Sequence, residues 1–202
     1  MKNTIKIQIF WNIDSKDARI TTAINAIQSA TSADKILIYF NNNSGGALQD
    51  TINLIMAIEK SNPAVQIILI FHQYAISASA FIMCYFAFYN IATPNIRVQL
   101  DGPVCVVYHK PRIEINSLFT HFASNLFHDR TYPKSIQFIK DITPLFDAVF
   151  NSLFMGCYAK KIRIAPHMRS VYSINGDVSV TLSGGLLHEK QTKFRLEANL
   201  PI

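Results

Sequence analysis

Residues 64–92 contain no Asp, Glu, Lys or Arg, so this stretch must be buried, either in a bilayer or in a protein core. Its internal pattern decides between the two. Val65-Gln-Ile-Ile-Leu-Ile-Phe71 is strand-like and rich in β-branched residues, and His72, Gln73, Ser77 and Ser79 break the apolar run in its middle. Ala78, Ala80 and Ala87 then give the remainder a thin surface suited to close packing. The expectation is a buried strand leading into a buried helix, with Ser77 at the turn between them and no membrane span.

The rest of the chain supplies the layers such a strand needs. Strand-like segments at residues 5–10, 36–40, 65–71, 104–108 and 170–173 alternate with helical patterns, the signature of an α/β fold with a mostly parallel sheet and covering helices. Asp14 or Ser15 can cap a first helix carrying Ile20, Ile24 and Ile27 on one face. A second helix, residues 47–60, places Leu48, Ile52, Ile55 and Met56 at core spacing and stops before Pro63. A third runs from Ser77 to Phe88. Residues 112–160, interrupted by Pro133 and Pro144, read as a helical projection whose Phe138, Phe146, Phe150 and Phe154 suit a subunit interface. At 202 residues, half of them hydrophobic, one domain accounts for the whole chain.

Charge and cysteine usage narrow the classes. The net charge is +6, but apart from Lys160-Lys-Ile-Arg163 and Arg169 the basic residues are spread out, so a solvated basic edge is expected and no nucleic-acid partner. Three cysteines without metal spacing, an opening strand in place of a signal peptide, and histidines with no ligand spacing point to a cytoplasmic protein with no metal and no cofactor.

Acyl transfer needs a nucleophile, a base, a group that orients the base, and donors for the oxyanion. Ser77, at a strand-to-helix turn, supplies a hydroxyl; alone, a Ser there would be only a cap. His109 ends a strand at the carboxyl edge of the sheet, where sites of α/β proteins gather. Asp177, in the turn marked by Asn175-Gly176, is a candidate to fix the imidazole, in competition with Asp129, Asp141, Asp147 and Glu189. Gly45 and Gly46, between a strand and a helix, offer unencumbered backbone N–H groups that can join that of Ala78 in an oxyanion hole. Ser79 is a rival nucleophile, but two residues into the helix it points away from the turn.

Asn42-Asn-Ser-Gly-Gly46, Ala75-Ile-Ser-Ala-Ser-Ala-Phe81 and His109-Lys-Pro111, in that order among alternating strands and helices, resemble the proteolytic subunit of the Clp protease family and its ClpP/crotonase-fold relatives. The family patterns are Asn-Ser-Pro-Gly-Gly, Gly-x-Ala-Ala-Ser-Met-Gly-Ala and His-Gln-Pro. The resemblance covers residues 5–111 and resumes at 177–187. It implies Ser77 as nucleophile, His109 as general base, Asp177 as its orienting acid, Gly46 and Ala78 as oxyanion donors, a peptide or unfolded-protein substrate, and a homo-oligomer such as a ring. Ser44, Gln73 and Ser79 depart from the family's proline and two glycines. The interval from Ser77 to His109 is longer than the family's, with the extra residues expected in a loop at 89–102. The segment before the first strand is too short for the loops that dock an unfoldase ATPase, which argues against that partner. Two other readings stay open: a catalytically silent subunit with an assembly or regulatory role, and an acyl-CoA enzyme, which would need a carboxylate and is argued against by the lack of any near the glycine pair or the Ser77 helix start except Asp50.

Overall fold

A computed structural model of the chain describes residues 3–14, 16, 18–91, 93–115, 119–123, 133–160, 162 and 164–187. Its elements run β1 (Asn3–Phe10), α1 (Ala18–Ser29), β2 (Asp34–Asn43), α2 (Leu48–Glu59), β3 (Gln66–Ile76) and α3 (Ala78–Cys84), which continues into a π-helical turn at Tyr85–Tyr89. β4 (Ile96–Tyr108), the hairpin β5 (Arg112–Ile115) and β6 (Phe119–Phe122), α4 (Pro133–Ala159), α5 (Met168–Ser173), β7 (Val178–Leu182) and β8 (Gly185–Leu186) follow. The main sheet has the order β1-β2-β3-β4-β7, with β8 pairing β4 off that path. β1 to β4 are parallel; β7 and β8 run antiparallel to β4.

Parallel strands are joined by crossovers that cover the sheet, which is why they read as continuous apolar runs. Ile67, Leu69 and Phe71 of β3 are fully buried, and Ile68 and Ile70 nearly so. On α1, Ile20, Ala23 and Ile27 turn inward at helical spacing. With strands in chain order, right-handed crossovers place their helices on one face, and α1 packs on α2, α2 on α3 and α3 on α4. The uncharged run is thus a buried strand followed by a buried helix, and no helix among the described residues is long and apolar enough to cross a membrane.

A row of left-handed residues crosses this sheet. Trp11 (φ 63°), Asn42 (φ 49°), Gln73 (φ 61°) and Gly102 (φ 84°) all have positive φ. Phe10 pairs with Asn41, Asn41 with His72, and His72 with Asp101, so the next residue on each strand falls on one line. The register shifts there, between Asn41 and Asn43 and between His72 and Tyr74. Bulges of this kind bend a strand and increase its twist, so the strand ends beyond the row are re-aimed together.

Several expectations are corrected. Residues 170–173 are helical, in α5, because Tyr172 and the partly buried Met168 and Val171 meet the core at helical spacing. The fifth strand is β7, where Val178, Val180 and Leu182 are buried and Ser179 and Thr181 exposed. The loop expected at 89–102 is shorter than that, because residues 96–102 lengthen β4, a 13-residue strand that starts at Ile96. Pro144 lies inside α4 without ending it.

Within residues 112–160, α4 lies back on the core through Ile142, Phe146, Val149, Phe150, Leu153 and Cys157. Phe146 stacks on Phe81 with centroids 3.9 Å apart, and Phe150 stacks on Tyr172 at the same distance. Tyr108 is buried between them and donates its hydroxyl to the Phe146 carbonyl at 2.9 Å. The aromatic stripe read as an interface is therefore largely core.

Candidate functional site

Ser77 links β3 to α3 with φ 58° and ψ −122°, a conformation an L-residue adopts at a cost of order 1–3 kcal/mol when its surroundings dictate it. Those surroundings are specific. Its N–H donates to the Val107 carbonyl at 2.9 Å, and its own carbonyl accepts the Phe81 N–H at 2.9 Å, so one peptide group belongs to the sheet and the next to the helix. Gly45 packs directly against the turn: a Cβ there would lie 2.6 Å from Ser77 Cβ, 2.7 Å from the Ile76 carbonyl oxygen and 2.8 Å from the Ala78 nitrogen. Only glycine fits, for that reason and because its φ is +92°. The Ser77 side chain keeps partial exposure, whereas Ser79 is fully buried in α3.

The glycine pair is fixed by its neighbours. The Gly45 N–H donates to Asn43 Oδ1 at 3.0 Å, so it is already engaged and the donor pair narrows to Gly46 and Ala78. The Gly45 carbonyl accepts from the Ile13 N–H at 2.7 Å, on the β1 side of β2. In a trans peptide the following N–H points the opposite way, which turns the Gly46 N–H toward β3, the strand that ends at Ser77. Ala78 is the first residue of α3, and its N–H has no carbonyl one turn earlier within the helix. Two N–H groups thus flank the Ser77 turn.

His109 follows β4 directly and is buried. Its Nδ1 lies 2.7 Å from the Lys110 carbonyl oxygen. A carbonyl only accepts, so this contact assigns the proton to Nδ1 and the lone pair to Nε2, the tautomer a base requires. Tyr108 pairs with Val178, one step before the register would bring His109 opposite Asp177. Because Ile76 pairs with Val107, the residues Ser77, His109 and Asp177 stand at adjoining ends of three neighbouring strands, β3, β4 and β7. The Asp177 carboxylate is half-exposed and lies 3.5 Å from Arg112 Nη1.

The rival carboxylates are occupied elsewhere or lie outside the described residues, as Asp129 and Glu189 do. Asp141 accepts from Gln137 Nε2 at 2.7 Å, and Asp147 accepts from the Tyr172 hydroxyl at 2.8 Å. Burial, with Asp147 adding to it, pushes the Tyr172 phenol well above its ordinary range, and burial does the same to Tyr108. Both stay neutral donors at any working pH. Among the described residues, no group of three or more His, Cys, Asp or Glu is placed to hold a metal ion.

Two site residues escape a reading of the sequence that looks for nucleophile, base and acid. Asn43 is fully buried and holds Gly45. Ser44 sets its Oγ 2.8 Å from the Trp11 carbonyl and 2.5 Å from Asn12 Oδ1, tying the loop to the end of β1. The available signal was an Asn two residues before a glycine, the pattern of an Asx turn. Compared with protein-family models and with curated protein sequences, the chain matches none.

Proposed function

We propose that the protein is a serine peptidase of the ClpP/crotonase fold that hydrolyses peptides through an acyl-enzyme at Ser77. The observation that carries this reading is the strained Ser77 turn seated on Gly45 with two backbone N–H groups beside it, the arrangement that exposes a nucleophile between strand and helix. The resemblance to the Clp proteolytic subunit supports it at a point of apparent departure. Gln73 stands where the family has glycine, and its φ of 61° is the left-handed geometry glycine would supply.

In the proposed reaction Ser77 Oγ attacks the scissile carbonyl carbon while His109 Nε2 takes the hydroxyl proton. The carbonyl oxygen, now an anion, is held by the Gly46 and Ala78 N–H groups. Collapse breaks the C–N bond, the imidazolium returns its proton to the leaving amine, and water hydrolyses the ester by the same route. Asp177 stabilises the imidazolium from the next strand. A homo-oligomeric ring, an unfolded or peptide substrate and a cytoplasmic setting belong to the same proposal; an ATPase partner does not.

The second reading is a catalytically silent subunit of the same fold. The position of Asp177 beside Arg112 favours it, because a carboxylate engaged there is less able to stabilise the imidazolium. A fluorophosphonate probe separates the two. Wild type is expected to form one covalent adduct and Ser77→Ala none; an adduct that persists in Ser77→Ala sinks the peptidase reading, and an unlabelled, folded wild type turns the assignment to the silent subunit.

A further inference from the structure

We propose that Asn43 is a positioning residue that aims the oxyanion donor of Gly46, an inference that rests on the peptidase reading of Ser77. Asn43 ends β2 with no exposed surface, and its carboxamide turns back on the loop that follows, where Oδ1 accepts the Gly45 N–H. Gly45 is thus clamped from both sides, its N–H by Asn43 and its carbonyl by the Ile13 N–H at 2.7 Å. The Gly45 carbonyl and the Gly46 N–H share one rigid peptide plane. Whatever fixes Gly45 therefore fixes the direction of the Gly46 N–H.

The clamp is needed because Gly45 and Gly46, with φ of +92° and +148°, have no side chains to restrain them. Ile13 braces one side through two backbone bonds, donating its N–H to the Gly45 carbonyl and accepting the Ala47 N–H at its own carbonyl at 2.8 Å. Asn43 is the side-chain half of the restraint. Its Nδ2 is buried with no hydrogen-bond partner among the described residues. An unmatched buried donor is normally selected against, so a smaller acceptor would fit better unless reach matters. Asn places its acceptor one bond further out than Ser, and that reach meets Gly45.

The test compares wild type, Asn43→Ala, Asn43→Ser and Ser77→Ala by three measurements: the inactivation rate and apparent affinity of a fluorophosphonate, amide exchange at Gly45, and the thermal midpoint. Asn43→Ala is expected to slow the covalent step by about tenfold or more while changing probe affinity little, because a misaimed donor is missed mainly in the charged transition state. The pH profile of labelling stays that of wild type, since His109 is untouched. Exchange at Gly45 accelerates by about tenfold or more, and Asn43→Ser, which restores an acceptor through an ST turn, recovers part of both effects.

Wild-type labelling kinetics in a folded Asn43→Ala variant overturn the proposal, as does unchanged Gly45 exchange. If Asn43→Ala does not fold, Asn43→Ser decides: loss of Gly45 protection with undiminished labelling overturns the proposal, and parallel loss of both supports it. If wild type is not labelled at all, the peptidase reading falls by itself, while Gly45 exchange still reports whether Asn43 holds the loop.

Discussion

The two halves of the sheet, divided by the row Trp11, Asn42, Gln73 and Gly102, are built on opposite terms. Before the row, β1 to β4 keep an unbroken parallel register of branched aliphatic and aromatic side chains, such as Ile38, Leu69 and Val98, all fully buried. Beyond it the register shifts, and Gly45, Gly46 and Ser77 add three more positive-φ positions to those of the row. Every candidate catalytic and oxyanion group lies in this second half or just past it. Strain of a few kcal/mol can persist only where neighbouring structure over-determines it, and the regular half supplies that frame.

Paired substitutions would break this division most sharply. Phe71→Ala removes a fully buried ring stacked on Phe40 with centroids 4.6 Å apart, and about 3–5 kcal/mol of stability should go with it. Yet the folded fraction should still label at the wild-type rate. Gly45→Ala forces a Cβ into Ser77, Ile76 and Ala78 at a φ glycine alone tolerates. It should cost about 2–4 kcal/mol and also abolish labelling of the molecules that remain folded. Denaturant titration alongside labelling checks both. If Phe71→Ala loses labelling in its folded fraction, the halves are not separable.

The regular half was the legible half. Burial leaves a compositional trace, so the apolar runs of β2 and β3 and the inward faces of α1 and α2 follow from residue spacing. Ser77, His109 and the glycine pair were legible because a strand, a turn and a helix in sequence place them at one edge. Backbone conformation leaves little trace: nothing in Trp11, Asn42 or Gln73 announces that each takes a left-handed φ on one line across the sheet. β7 is hard to read because it has only five residues directly after the Asn175-Gly176 turn, while Ser170–Ser173 imitates a strand until Tyr172 finds Phe150 and Asp147.

Gln73 offers a smaller perturbation on the dividing row itself. A left-handed conformation costs a residue with a side chain roughly 1–2 kcal/mol, and glycine gives back part of that in the entropy of the unfolded chain. Gln73→Gly should therefore stabilise the fold by up to about 1 kcal/mol, with Gln73→Val lowering stability and both variants still labelled. Destabilisation by glycine would mean that the exposed Gln73 side chain makes a contact that outweighs the strain.

The smallest effect lies at the opposite end of the strands, away from the candidate site. Asp34 opens β2, and its carboxylate accepts the Thr31 N–H at 2.8 Å, the Thr31 hydroxyl at 2.9 Å and the Asn3 amide at 3.3 Å. The Thr31 N–H, then its hydroxyl, hold the carboxyl below its ordinary pKa, against a smaller opposing effect of burial. Folding thus favours the ionised form. This contribution is complete above the unfolded value, near pH 4, and disappears as pH falls through the lower folded value. Asp34→Asn should flatten the acid limb of stability below about pH 4 while leaving labelling near neutral pH unchanged. A shift in the labelling profile on that substitution would show that the amino end of β2 communicates with Ser77 across the row.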